Sequence, residues 1–458
     1  MAAYPSTSSL HHWFTERLSE HRDKTAFVWE DVSITYAELL AKIVEWNSRL
    51  EKAGVTFGDV VVVQGDHSPE AFALLLALAV KKTIVVPLTE LPEEVLKDRC
   101  KTANADWFID LQASDPLKFL SLKSSPLKSE LVSEIVELGH SGLILFSSGS
   151  SGVPKACLLD LDLLLDTAKA KRRGYVTLAF LLFDHIGGVN TIISVLGQGG
   201  TIVTIKDRSA PFVATAIEKY GVELLPTSPT FLKMLLISGL DEKFDLSSLE
   251  LITYGTEVMP LATLEAIAAK LPSVKLKQTY GLTEIGIVPT KSKSPGSLWM
   301  EIGGPNVEYK VIDSILWLRA PTAMAGYLNA ESPFDKDGWL NTGDSVEVDG
   351  PYLRILGRDS EMINIGGEKV HPNEVETVLL RAENINDVTV VSRPNAVMGT
   401  ALTATVCINE PEDPKELKRR LRKFCLERLE RHKVPVLFKI SEGPLYSSRF
   451  KKMREKQL

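Results

Sequence analysis

Short runs of β-branched residues alternate with helical stretches through the N-terminal part of the chain, and this alternation most constrains the fold. Val60–Gln64 (VVVVQ) predicts a strand, Pro69–Val80 has helical spacing, and Thr83–Pro87 predicts another strand. Leu143–Phe146 and Thr201–Ile205 repeat the strand pattern. Strands that are apolar on both faces are typical of parallel sheets covered by helices. The sequence therefore predicts an α/β fold whose large, multi-layer N-terminal domain contains parallel-rich sheets.

A second, smaller unit follows a change of composition at about Leu356–Ser360. Its predicted elements, in order, are a strand at Met362–Ile365, a Gly-Gly turn, a helix after Pro372, strands at Asp387–Val391 and Ala401–Ile408, and a charged helix at Pro414–Arg431. About 100 residues of this kind make a typical small domain. We expect an N-terminal domain at 1–357, a hinge at 358–360 and a mobile α+β domain at 361–458.

Composition excludes several classes of protein. The chain has 458 residues, four scattered cysteines without a CxxC pair, and a net charge of -7. Reduced thiols rather than a disulfide framework or zinc site are expected, and a mildly acidic protein is a poor nucleic-acid binder. The N-terminus lacks a secretory signal, and no apolar run reaches the ~20 residues of a membrane span. A cytoplasmic location is the expectation.

The segment Phe146–Ala156 (FSSGSSGVPKA) is the first candidate site. Small residues in a turn allow backbone N–H groups and hydroxyls to wrap an anion, and a lysine follows them. The candidate phosphate-binding residues are Ser147, Ser148, Gly149, Ser150, Ser151, Gly152 and Lys155. A Walker loop is a poor match because Pro154 precedes the lysine. A serine-rich surface turn is the alternative interpretation.

Further motifs follow in a fixed order. They are Thr279–Glu284 (TYGLTE), Asn341–Asp344 (NTGD), Gly357-Arg358, Ile365–Glu368 (IGGE) and Lys451–Arg454 (KKMR). Together with the serine-rich loop, this set resembles the adenylate-forming superfamily over nearly the whole chain. The superfamily contains acyl- and aryl-CoA ligases, adenylation domains of peptide synthetases, and firefly luciferase. The segment GRDSEMINIGGEKVHPNEVE is similar to 4-chlorobenzoate and o-succinylbenzoate CoA ligases.

The resemblance implies ATP, Mg²⁺ and CoA as cofactors, and it implies a role for each motif. Lys155 and the loop amides would hold the β- and γ-phosphates, Thr283 the α-phosphate and Glu284 the magnesium ion, whose hardness suits a carboxylate. Tyr280 and Gly281 would lie beside the adenine. Asp344 would accept the ribose hydroxyls with support from Arg358. The opposite side of the base would be lined by Gly255, Thr256 and Glu257.

The small domain would act in both half-reactions. The family's tail lysine, which approaches the carboxylate and phosphate, corresponds to Lys451, with Lys452 as the alternative because one extra residue follows Pro444. Ser360 corresponds to the hinge position. Gly366 and Gly367 would let a pantetheine arm pass close to the backbone.

The acid would bind near Phe183–Gly188 (FDHIGG). Counting back from Gly199-Gly200 places His185 where acyl and aryl ligases carry a gating histidine or aromatic residue. The alternative register aligns Phe183-Asp184 with the amino-binding pair of amino-acid adenylation domains. The glycine pair is expected to leave room for a ligand, and no Arg or Lys lies in the segment, which favours an uncharged aryl or acyl tail.

Three functions remain open from the sequence. The first is ATP-dependent activation of a small carboxylic acid followed by transfer to CoA. The second is a stand-alone ligase that loads the phosphopantetheine of an acyl carrier protein. The third is a non-catalytic adenylate-binding relic, against which the lysine and carboxylate motifs argue. Nucleic acid and membrane-spanning partners are not expected, and a homodimer is left open.

Overall fold

The computed structural model describes residues 13–112, 120–122, 129–147, 153–365, 368–395, 399–441, 443–446 and 452–453. The helices of these residues, in chain order, are α1 Trp13–Ser19, α2 Tyr36–Ala53, α3 Pro69–Val80, α4 Glu93–Thr102, α5 Glu130–Glu137, α6 Leu161–Asp166, α7 Ile186–Leu196, α8 Ala210–Tyr220, α9 Pro229–Ile237, α10 Leu261–Lys270, α11 Pro372–Leu379 and α12 Pro414–Leu426. The strands are β1 Thr25–Trp29, β2 Val32–Thr35, β3 Val60–Gln64, β4 Ile84–Leu88, β5 Trp107–Asp110, β6 Leu120–Ser121, β7 Gly142–Ser147, β8 Lys155–Asp160, β9 Val176–Leu178, β10 Thr201–Val203, β11 Leu224–Thr227, β12 Leu251–Tyr254, β13 Lys275–Gln278, β14 Tyr280–Leu282, β15 Gly286–Val288, β16 Thr290–Ser292, β17 Met300–Ile302, β18 Glu308–Ile312, β19 Ile315–Arg319, β20 Gly326–Tyr327, β21 Leu340–Asp349, β22 Tyr352–Arg358, β23 Ile363–Ile365, β24 Glu368–Val370, β25 Ile385–Asn395, β26 Gly399–Ile408 and β27 Leu437–Ile440.

Two large sheets organise the first part of the chain. One has the order β13-β12-β11-β9-β10-β1-β2 and the other β20-β8-β7-β4-β3-β5-β6, and both contain mainly parallel neighbours at their centres. A third sheet, β16-β17-β22-β21-β19-β18, is antiparallel where its neighbours pair. The predicted α/β class with parallel-rich sheets is confirmed.

The helix α3 shows how the sequence produces this layered arrangement. Ser68 caps it by accepting a hydrogen bond from the Ala71 N–H at 3.0 Å, and Pro69 occupies the first turn, where its missing N–H costs nothing. Nearly every side chain of the helix is buried. A helix that is apolar all round must be covered on all sides, so α3 lies inside the domain.

The C-terminal part has its own sheet, β25-β26-β27, and its own apolar core. The predicted strand and helix positions are close to those observed, with one correction. The charged helix ends at Leu426 rather than Arg431, because the Arg428 N–H bonds to the carbonyl three residues earlier, of Cys425, and this tightens the last turn. Throughout the described residues, no helix combines the length and apolarity that crossing a bilayer requires. The predicted domain boundaries stay predictions.

Candidate active site

A cleft of about 2090 Å³ brings the predicted motifs together. Its walls come from the carboxyl ends of strands in the N-terminal part and from the C-terminal residues that face them. The described members of the predicted site that line it are Ser147, Lys155, His185, Gly255, Thr256, Glu257, Tyr280, Gly281, Thr283, Glu284, Asp344 and Arg358. Large clefts with convergent polar groups are the usual sites for small molecules.

The serine-rich loop joins two paired strands. Ser147, at the end of β7, lies opposite Lys155, at the start of β8, so an antiparallel pair closes the base of the loop. The ammonium group of Lys155 lies 4.9 Å from the centre of the Tyr327 ring. Residues 148–152, which carry Ser148, Gly149, Ser150, Ser151 and Gly152, lie outside the described residues. Their predicted contact with phosphate stays a prediction.

The acidic motif lies on the other side of Tyr327. The hydroxyl of Tyr327 donates to Oε1 of Glu284 at 2.5 Å, and the carbonyl of Thr283 accepts from the buried thiol of Cys157 at 3.4 Å. No cluster of three or more metal-ligating side chains occurs among the described residues. A single carboxylate still fits Mg²⁺, because this ion is commonly held by one or two carboxylates together with substrate phosphates.

Asp344 and Tyr280 are buried at the wall of the cleft, where the more exposed Arg358 contacts the carboxylate. Asp344 lies opposite Arg358 in the β21–β22 pair, and Nε of Arg358 is 2.8 Å from Oδ1 of Asp344. The Tyr280 hydroxyl donates to Oδ2 of the same carboxylate. Burial raises the pKa of Asp344, although the Arg358 guanidinium opposes this shift. Tyr280 is predicted to lie beside adenine. The Tyr280 hydroxyl also holds the Asp344 carboxylate, which is predicted to bind ribose.

The segment after β12 approaches its neighbour closely. A Cβ on Gly255 would lie 2.6 Å from Oγ1 of Thr279, so only glycine fits there without displacement. Thr256 follows with φ of 72°. Glu257 then accepts from the Thr230 N–H, at the start of α9, at 2.7 Å. These contacts fix the wall that is predicted to face the nucleotide base.

His185 caps α7 and lines the cleft where the acid is predicted to bind. Its Nδ1 accepts from the Gly187 N–H at 3.1 Å, so the ring proton lies on Nε2. Asp184 also lines the cleft, and its Oδ2 accepts from the Thr89 hydroxyl at 3.0 Å. The cleft is therefore lined by His185, from the first register, and by Asp184, from the alternative register.

The expectation that the glycine pair leaves room for a ligand is wrong. A Cβ on Gly188 would lie 1.9 Å from the carbonyl oxygen of Leu182, and one on Gly187 would lie 2.7 Å from Cδ1 of Leu181. The space beside both glycines is therefore filled by the chain itself. Their function is to let α7 start tightly against the preceding loop.

Contacts that the sequence did not predict hold this loop. Nε2 of His67 lies 2.6 Å from the Leu181 carbonyl oxygen. Arg208 forms a bidentate pair with Asp66, at 2.8 and 2.9 Å, and its Nε donates to the Phe180 carbonyl at 2.8 Å. No motif marks these residues, because the contacts join strand ends that are distant in sequence.

The C-terminal residues meet the cleft through charged contacts. Nζ of Lys233, on α9, lies 2.5 Å from Oδ1 of Asp387, on β25, and both side chains are largely buried. The Lys452 ammonium lies 2.9 Å from Oε2 of the buried Glu376, and the Lys452 N–H donates to Glu257 at 3.3 Å. The tail thus reaches the wall that is predicted to face the base.

The remaining predicted residues fall into two groups. Ser360 lies in a short 3-10 turn at Asp359–Glu361 and lines the cleft. Lys451, Gly366 and Gly367 lie outside the described residues. Their roles, and those of every other site residue, stay predictions.

The chain is similar to several CoA ligases in sequence and in fold. An indoleacetate–CoA ligase of Aromatoleum aromaticum is 27% identical over 450 residues, covering 87% of this chain and 88% of that protein. A 2-succinylbenzoate–CoA ligase of Bacillus cereus is 26% identical over 458 residues, covering 93% of each. The anthranilate CoA ligase AuaEII, solved in complex with anthranoyl-AMP, has a similar fold, with a TM-score of 0.83 at 21% identity over 97% of this chain and 96% of that one. ATP-bound MatB from Rhodopseudomonas palustris gives a TM-score of 0.77 at 20% identity, covering 95% and 96%.

Family signatures match both parts of the chain. The AMP-binding enzyme signature matches residues 14–328, and the signature of the AMP-binding enzyme C-terminal domain matches residues 374–446. The first match alone covers well over half of the chain. The predicted resemblance to adenylate-forming enzymes is confirmed: the chain belongs to the AMP-binding enzyme family.

Proposed function

We propose that this chain activates a carboxylic acid with ATP and transfers the acyl group to CoA. An oxygen of the acid attacks the α-phosphorus of ATP, the bond from that phosphorus to the bridging oxygen breaks, and pyrophosphate leaves. The CoA thiolate then attacks the carbonyl carbon of the acyl-adenylate and AMP leaves, while the thiol proton passes to solvent. The two half-reactions can share one nucleotide site, but each needs a different arrangement of the residues around that site.

The observation that carries the proposal is the convergence of three separated motifs on one cleft. Lys155 supplies a cation near the loop, Glu284 a carboxylate, and Asp344 a buried acceptor held by Arg358. The attack brings negatively charged groups together, so fixed positive charge near the phosphates lowers the barrier. We assign phosphate binding to Lys155 and ribose binding to Asp344. Glu284 would hold Mg²⁺, which neutralises phosphate charge when bound.

The contacts of the described C-terminal residues support an inference about which half-reaction the observed arrangement serves. Residues 443–446 and Lys452 line the cleft, and the Lys452 N–H contacts Glu257 on the wall assigned to the base. We infer that this arrangement corresponds to the adenylating pose, with Lys451 as the tail lysine. Rotation about residues 358–360 would then bring the Gly366-Gly367 face to the cleft for thioester formation.

The acid itself is proposed from the chemistry of the pocket. The lining residues of α7 are His185, Ile186, Gly187, Asn190 and Thr191, which include no lysine or arginine. A negatively charged tail would lack a partner there, whereas an apolar ring with a hydrogen-bonding group would fit. The relatives named above are ligases of indoleacetate and 2-succinylbenzoate. Indoleacetate carries no charge beyond its reacting carboxylate, whereas 2-succinylbenzoate carries a second carboxylate. We propose as the substrate class an aryl acid whose tail, beyond the reacting carboxylate, is uncharged.

Pyrophosphate release tests this function. The purified chain is incubated with MgATP and a panel of aryl, acyl and amino acids, with and without CoA. We expect one group of aryl acids to release pyrophosphate and to yield a thioester only with CoA. Thioester formation only with a phosphopantetheinylated carrier protein would change the acceptor. No release with any acid, together with unimpaired ATP binding, would favour the relic.

A further inference from the structure

We propose that Tyr327 and Asn329 are positioning residues that set the phosphate-binding lysine and the metal-binding carboxylate at a fixed separation. Both lie on the segment Thr322–Asn329 (TAMAGYLN), here called the bridging segment. The proposal rests on the function proposed above, because it takes Lys155 and Glu284 as the residues that bind the nucleotide and its metal ion.

The backbone of the bridging segment is hydrogen-bonded to both motifs. On one side, the Met324 N–H donates to the Glu284 carbonyl at 2.9 Å. On the other side, the Ala325 N–H donates to the carbonyl of Leu158 at 2.8 Å, and the Leu328 N–H donates to that of Ala156 at 2.9 Å. Strand β20 of this segment pairs with β8, which begins at Lys155. The segment therefore joins two motifs that are far apart in sequence.

Asn329 fixes the backbone on both sides of the lysine. Its Oδ1 accepts from the Ala156 N–H at 2.9 Å, and its Nδ2 donates to the Pro154 carbonyl at 3.0 Å. One side chain thus binds the residues immediately before and after Lys155. The amide orientation is determined, because the N–H needs an oxygen and the carbonyl needs an NH₂ group.

Tyr327 contacts both functional side chains. Its hydroxyl donates to Oε1 of Glu284 at 2.5 Å, and its ring centre lies 4.9 Å from the Lys155 ammonium. The ring face favours a cation. One residue thus fixes the rotamer of the carboxylate and the approach of the lysine.

The geometry also explains why the two opposite charges remain available. Although both residues are described, no ion pair joins Lys155 to Glu284; the tyrosine contacts each of them instead. A direct pair would satisfy each charge with the other and would have to break before phosphate and metal could bind. Because Tyr327 contacts both groups, the ammonium and the second carboxylate oxygen are not paired with each other and stay available to ligands. Such preorganisation strengthens electrostatic sites.

The experiment separates the two contacts with the full chain. ATP binding is measured by calorimetry without metal and with Mg²⁺, and pyrophosphate release is measured against Mg²⁺ concentration. For Tyr327→Phe, which keeps the ring, we expect the gain in ATP affinity from Mg²⁺ to fall about ten- to a hundredfold, as is usual when an outer partner of a metal ligand is lost. Binding without metal should change less than about threefold, because the ring contact to the lysine remains.

Asn329→Ala should give the opposite pattern. ATP binding should weaken about three- to tenfold both with and without Mg²⁺, because two hydrogen bonds beside the lysine are lost. The half-saturating Mg²⁺ concentration at saturating ATP should stay the same. Tyr309→Phe is the matched control, since its hydroxyl donates to the exposed Pro351 carbonyl, at 3.5 Å. All variants are first compared by thermal melting.

Lys155→Ala and Glu284→Gln separate a failure of the proposed active site from a failure of the positioning inference. If neither weakens nucleotide binding or pyrophosphate release, the proposed active site itself is wrong. If both weaken them while Tyr327→Phe and Asn329→Ala behave like Tyr309→Phe, only the positioning inference is overturned. Equal losses for Tyr327→Phe with and without Mg²⁺, accompanied by a lower melting temperature, would also overturn it, because the tyrosine would then support the fold rather than the carboxylate.

Discussion

The two walls of the cleft are built in different ways. On the wall assigned to the nucleotide, Glu284 is held by Tyr327, and Asp344 is held by Tyr280 and by Arg358, the last residue of β22 and the first of the predicted hinge. On the facing wall, Lys233 reaches across to Asp387. A buried ion pair fixes how two surfaces align but adds little net stability to their contact, because the cost of desolvation offsets the attraction. We therefore expect the first wall to be preformed and the second to separate.

Among the tests that distinguish the two walls, replacing the tail lysines is expected to have the largest effect. Lys451→Ala should lower pyrophosphate release by ~10²–10³, the usual cost of removing one preorganised charge, and should spare thioester formation from supplied acyl-adenylate. Lys452→Ala should instead lower the melting temperature, because Glu376, only 2% exposed, loses the cation that lies 2.9 Å away. Loss of pyrophosphate release in Lys452→Ala with normal release in Lys451→Ala would exchange the two assignments.

The nucleotide wall is tested by Asp344→Asn. We expect the KM for ATP to rise about ten- to a hundredfold, because a hydrogen bond to a charged acceptor is worth ~1.5–3 kcal/mol. Burial raises the pKa of Asp344 above its ordinary value, so ATP affinity of the parent should begin to fall at a higher pH than for an exposed aspartate. Asp349→Asn, on the same strand and paired with the surface Lys293, is the control. An unchanged KM would remove Asp344 from the site.

The sequence predicted the preformed wall better than the separable one. Val60–Gln64 was predicted with the observed bounds, because a run of buried β-branched residues determines its own structure. Asp344 and Glu284 were predicted from short local motifs, and both line the cleft. By contrast, the Lys233–Asp387 pair joins α9 to β25, and neither residue has a local pattern that marks it.

Side-chain geometry explains the other differences. The glycine pair at 187–188 was interpreted as ligand space, but the positions of Leu181 and Leu182 that fill this space follow from the tertiary structure. Tyr327 was not among the predicted site residues, because its contact with Glu284 depends on the pairing of β20 with β8. Sequence patterns give the residue types of a site; packing decides which of them touch.

The facing wall is tested by replacing its ion pair. Lys233→Met leaves Asp387 without its cation in the observed pose, so we expect pyrophosphate release to fall about three- to tenfold. The double variant Lys233→Met/Asp387→Leu should restore this rate but slow thioester formation, because an apolar contact holds the pose more firmly. Lys219→Met, which breaks the exposed pair with Asp31, is the control. Equal rates in all three variants would show that the pair has no influence on the pose.

The smallest effect concerns His67, which supports the loop before α7 and belongs to the preformed part of the molecule. Burial lowers the pKa of this ring, against the opposing effects of Asp66 and Asp184, while Arg208 adds to the lowering. The neutral ring is therefore favoured in the folded state. Its contribution to stability is complete above the ordinary histidine pKa of 6.5 and is lost as the pH falls towards the lowered value. We expect the melting temperature to fall between about pH 7.5 and 5.5, and His67→Asn to reduce that fall by roughly 1–3 °C, since 1 kcal/mol moves the midpoint of a domain of this size by a few degrees. His432→Asn, whose ring lies 3.5 Å from Glu430 near the surface, should leave the fall unchanged. An identical pH dependence in the His67 variant and the parent would show that the loop does not depend on a neutral ring at this position.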